Sequence, residues 1–380
     1  MFLLSREKYY EEDDILYSAV YGKGFYQWTG RMVQDPLAGD DGQGSVSPLL
    51  ENIDTQEIFF MKKLYEKDEM LPKYIRFIQN PADQKDVLWP CDLIQLNDSE
   101  QIGCSLAVDQ PYNFSHERTE DDTSLAVLFP YGGYPVMEDG FRYLSHVGEM
   151  SWKNKKIQQM AIEIARRIQS INESGYLYLD FHLSRLFFSQ DGRLYLNFSN
   201  LIFPDRNKQQ WAEEDFFDME ACSYPVEFAE PAIVQGKQKY FDYSSQNYSM
   251  AAMFFYLMFG RYAYEGRLMD GYVDDSERAH YEKFRDYHKM PVFIFEPEDD
   301  SNALGLFADE QRIVELWKDA APALRDLFLR ALCQKTAVRR GKKRAPEPGE
   351  WLYCFERLGW TGGKNRKINR EKEGEKNAEE

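Results

Sequence analysis

The sequence predicts an α+β protein in two lobes, strands first and helices after, and three observations carry that reading. Strand-like segments crowd into residues 1–135. After Ser151, the residues Ile157, Met160, Ala161, Ile164, Ile168 and Ile171 recur at helical spacing. The run Met250–Phe259 is apolar on every side, the mark of a helix buried at the centre of a lobe. With 380 residues, 43% hydrophobic and 15% aromatic, the chain can fill two cores, which argues against general disorder.

The elements follow in order. Ile15–Tyr21 and Phe25–Val33 read as strands around Gly22-Lys23-Gly24. Residues 34–54, acidic and rich in Gly and Pro, read as a loop or insertion. Ile58–Tyr65 is a third strand, and Glu66–Gln79 a weak helix stopped at Asn80-Pro81. Val87-Leu88-Trp89-Pro90 opens a further extended stretch, and Ser124–Phe129 is a buried strand. Character changes between residues 135 and 150. Ser151 is placed to cap the long helix, which Gly175 stops. Tyr176–Asn200 reads as two extended pieces around Gln190-Asp191-Gly192. Pro322–Leu332 is a helix with proline in its first turn. The predicted division is a strand-rich lobe over residues 1–135, a helical lobe over 136–361, and a disordered charged tail over 362–380.

Charge and cysteine content narrow the function classes. A net charge of −18 repels nucleic acid and anionic lipid, so a protein partner is expected and neither nucleic acid nor membrane is. No apolar run approaches the ~20 residues of a membrane helix. Cys91, Cys104, Cys222, Cys333 and Cys354 are scattered without a CxxC pair, which fits a reduced, cytoplasmic protein without a metal site.

Several local patterns fall in one order: Gly22-Lys23-Gly24, Lys62-Lys63-Leu64-Tyr65, the long helix, Tyr178-Leu179-Asp180-Phe181-His182 through Arg185, Asn197-Phe198-Ser199, Pro231, and Gly260–Gly266. From residue 15 to 358 this order resembles the protein kinase superfamily. It looks closest to a divergent bacterial branch, which shares Leu88-Trp89-Pro90, the Tyr-x-acid-Phe-His loop, Phe293–Pro297 followed by Ser301-Asn302, and a late Glu350-Trp351.

The resemblance implies site residues one by one. Gly22 and Gly24 would let backbone N–H groups approach phosphates, with Gln27 where a third glycine is usual. Lys62 or Lys63 would hold phosphate, and strand alternation sends only one of them inward. A helix partner for that lysine would be Glu66 or Glu69. Asp180 would orient a hydroxyl nucleophile. His182 replaces a phosphate-contacting lysine, and its expected role is packing. Arg185 replaces a metal-binding Asn, and Asn197 a metal-binding Asp. A cation near Arg185 meets repulsion of about 4 kcal/mol at ~4 Å and an effective dielectric near 20. Arg185 is expected to pair with Asp180, with Asn197 accepting a further hydrogen bond, in place of the metal. Ala232 follows Pro231 where Glu is usual, with Glu230 as its stand-in. Asn247 lies where the buried helix normally carries Asp, and Arg344 resembles a late lobe-tying arginine.

The implied function is a pseudokinase: a binding or regulatory module with weak or no phosphoryl transfer, weak ATP affinity and little gain from magnesium. The alternative is an active atypical Ser/Thr kinase using Asp180, one lysine and ATP. A third reading is an acidic α+β interaction protein. Partner identity and oligomeric state stay open.

Overall fold

In the computed structural model the described residues are 3–4, 16–18, 25–34, 46–63, 71–79, 87–96, 124–131, 137–179, 181–189, 191–197, 201–202, 226–238, 241–269, 287–289, 291–305, 307–333 and 345–361. The fold is mixed α+β, and the chain divides into two compact units. Unit 1 holds residues 1–137 and 195–199; unit 2 holds 138–194 and 200–380. The predicted tail over 362–380 lies outside the described residues, as does Arg344.

Unit 1 is built on an antiparallel sheet of seven strands. These are β1 (Leu3–Leu4), β2 (Leu16–Ser18), β3 (Phe25–Gln34), β4 (Val46–Asn52), β5 (Ile58–Lys63), β7 (Asp92–Leu96) and β8 (Ser124–Pro130). Their order across the sheet is β1-β2-β3-β4-β5-β8-β7. A short strand, β6 (Val87–Leu88), precedes β7 in the chain. The continuous apolar runs of β5 and β8 are buried on both faces. Tyr26, Leu50, Phe59, Met61, Ile94, Ala126 and Leu128 form the core of one face, with Trp28 and Cys91 packed against it. The opposite face carries Phe60 stacked on Phe129, and helix α1 (Leu71–Gln79) covers it through Tyr74. Trp89 ties the end of that helix down: its indole N–H donates to the Phe77 carbonyl at 3.1 Å.

Strand β4 corrects the sequence reading over residues 46–52, part of the stretch 34–54 read as a loop or insertion. Pro48 is what misleads, because a proline inside a run normally argues against a central strand. Here β3 absorbs the irregularity. Its register slips between Trp28 and Met32, with Gly30 at φ +71°, and Pro48 pairs at the far side of that bulge.

Among the described residues of the first face one carboxylate is buried. Asp92 is fully enclosed, accepting the Tyr26 hydroxyl at 3.3 Å and the Leu93 N–H at 2.8 Å. Burial, then the Asp92 charge, raises the Tyr26 hydroxyl far above its ordinary pKa.

Unit 2 is helical around α3 (Lys155–Glu173) and α5 (Tyr243–Phe259). The N-cap of α3 is Asn154, whose side chain accepts from Lys156 N, and not Ser151 as the sequence suggests. Ser151 lies one turn earlier, where its hydroxyl accepts from Lys153 N. Gly175 ends this stretch at φ +85°. Asp242 caps α5 by accepting from Ser244 N and Ser245 N. Around α5 pack α6 (Ala308–Asp319), α7 (Pro322–Leu332) and α8 (Pro348–Arg357). Trp351 of α8 is enclosed against Phe254 and Phe328, and Phe255 meets Phe293 and Trp317. Glu350, beside that tryptophan, accepts from Arg330 at 2.7 Å.

A polar cluster is sealed inside this core. The Tyr248 and Tyr264 hydroxyls are 2.5 Å apart, Tyr264 O–H donates to the Leu332 carbonyl at 3.2 Å, and the Tyr287 hydroxyl accepts from Tyr264 N. Burial holds Tyr248 and Tyr287 well above their ordinary pKa. Unfolded tyrosines ionise near pH ~10 while these two keep their protons. Their contribution is therefore complete below pH ~10 and erodes above it, by about 1.4 kcal/mol per pH unit for each. Chemical denaturation between pH 9 and 12 should show that fall, and Tyr248→Phe should make it shallower. A flat profile would contradict the burial of both hydroxyls.

Candidate functional site

A short strand, β9 (Met137–Asp139), precedes the helices of unit 2 in the chain, and the site is the loop that leaves strand β10 (Leu177–Tyr178) in unit 2. That strand pairs antiparallel with β13 (Leu201–Ile202). Past the loop, a single 3-10 turn runs from Leu183 to Arg185 and leads into β11 (Leu186–Ser189). Phe181, Leu183, Leu186 and Phe188 point into the core, which fixes the loop from below.

Three contacts hold the loop's polar backbone. The amide N–H of Tyr178 donates to Gln246 Oε1 at 2.8 Å, and Gln246 Nε2 donates to Asn172 Oδ1 at 3.0 Å. One enclosed amide of α5 thus joins the loop strand to the end of α3. Next, His182 caps the 3-10 turn: its Nδ1 accepts from Ser184 N at 3.3 Å and lies 2.5 Å from Ser184 Oγ. Phe141, from α2 (Gly140–Ser145), meets the His182 ring edge-on at 5.4 Å. Finally, α2 approaches the turn so closely that a Cβ on Gly140 would lie 2.7 Å from the Leu183 carbonyl.

The structure places the predicted residues unevenly. Asp180, Gly22, Gly24, Glu66 and Glu69 lie outside the described residues. The pairing of Asp180 with Arg185 therefore has no geometry. Arg185 ends the 3-10 turn, half-buried, and its carbonyl lies 3.5 Å from the Tyr178 hydroxyl. His182 packs and caps, in keeping with the packing role expected of it. Asn197 ends β12 (Leu194–Asn197), and Leu196 and Asn197 pair in parallel with Val87 and Leu88 of β6 within unit 1.

Lys62 and Lys63 are the last residues of β5, in register with Val127 and Ala126. Alternation puts Lys62 on the face of Phe60 and Phe129, which α1 covers, and Lys62 is half-buried there.

Sequence reasoning missed Gln246 and Asn172. It singles out the neighbouring Asn247, as the residue lying where the buried helix normally carries Asp, and among the described residues the buried Oδ1 of Asn247 has no hydrogen-bond partner. The usable signal is a polar stretch, Ser244–Ser249, at the head of an apolar helix. Ser245, Gln246, Asn247 and Ser249 are all enclosed, and enclosed polar groups mark something held. Glu230, the expected stand-in for a missing acid, accepts from Ser245 Oγ at 2.7 Å and precedes α4 (Pro231–Val234).

Among the described residues no helix is long and apolar enough to cross a membrane. No protein-family model matches the chain, and no curated protein matches it.

Proposed function

We propose that this chain is a kinase-like binding or regulatory module that takes a protein partner and transfers phosphoryl groups weakly or not at all. One observation carries the reading. The frame that holds the loop is intact, through Gln246, His182 and Gly140. Yet the two positions that the resemblance gives to metal ligands are Arg185 and Asn197. An apolar and amide framework maintains a shape without supplying charge for a divalent cation, which binds best to carboxylate oxygens. A net charge of −18 suits a partner with a basic surface.

An active atypical kinase is the second reading, and it has its own observation: Lys62 shares a face of β5 with the packed helix α1. Thermal unfolding with ATP, alone and with magnesium or manganese, separates the two. A ligand that binds only the native state raises the melting temperature in step with its affinity. The expected result is little shift at millimolar ATP and no added shift with metal. The double variant Arg185→Asn with Asn197→Asp should gain a magnesium response. A clear metal-dependent rise in the unaltered protein, or phosphate transfer lost in Asp180→Asn, would establish the second reading instead.

A further inference from the structure

We draw no further inference here: the strongest candidate, the basic run Lys335, Arg339, Arg340, Lys342, Lys343 and Arg344 between α7 and α8, lies outside the described residues, so nothing in the structure shows whether it meets an anionic partner or the chain's own acidic surface.

Discussion

Replacing Gly266 by alanine should cost unit 2 more than about 4 kcal/mol, enough to leave much of a typical domain unfolded. The added Cβ would lie 1.9 Å from the backbone oxygen of Asn302 and 2.7 Å from its Oδ1. Neither atom can retreat. Asn302 is enclosed, and its side chain donates to the Tyr264 carbonyl at 2.7 Å and the Val292 carbonyl at 2.8 Å. It also accepts from Leu268 N at 3.0 Å. One amide therefore stitches the 264–268 turn to residues 292 and 302, and the clash would tear that stitch as well as strain the backbone. Gly349 is the control: a Cβ there meets nothing within 4 Å, so Gly349→Ala in the first turn of α8 should be neutral or stabilise by about 0.5–1 kcal/mol. Urea titration of both variants measures the contrast. Equal effects would mean that the Gly266 contact is looser than described.

Gln246→Leu should cost about 2–4 kcal/mol and loosen the loop. The substitution nearly conserves volume but leaves the Tyr178 N–H and the Asn172 side chain without their buried partner, at about 1–3 kcal/mol each. Hydrogen exchange gives the local readout: the Tyr178 amide should lose its protection while amides at the centre of α3 keep theirs. Gln246→Glu retains an acceptor for Tyr178, so that amide should stay protected even as the buried charge lowers overall stability. Undiminished protection of Tyr178 in the leucine variant would show that something else holds the loop.

These two positions illustrate what was legible in the chain. The strands β3, β5 and β8 and the helices α3, α5 and α7 announce themselves, because continuous or periodic apolar runs need no partner to be recognised. Strand β4 was hidden because its proline is tolerated only through a bulge in its neighbour, a pairing fact rather than a local one. The cap of α3 is ambiguous in the sequence because Ser151 and Asn154 are both competent caps, and tertiary packing chooses Asn154. At the site, the order of motifs draws attention to the loop after Tyr178. It does not point to Gln246, since which residues of α5 face the loop depends on helix rotation, about 100° per residue.

The pairing of β12 with β6 has a consequence for how the molecule is made. Val87 and Leu88 take Leu196 and Asn197 as strand partners, so unit 1 borrows a strand from beyond the first helices of unit 2. A nascent chain that has emerged only as far as residue 137 cannot complete this unit, however well its seven-stranded sheet has formed. The later segment must be synthesised and returned first. Loop-closure entropy grows only slowly with length, so the detour costs little at equilibrium, but it delays the final step in time. A gene fragment cut after residue 137 would therefore keep all seven strands of the large sheet but leave Val87 and Leu88 without their strand partner, open to pairing with another chain.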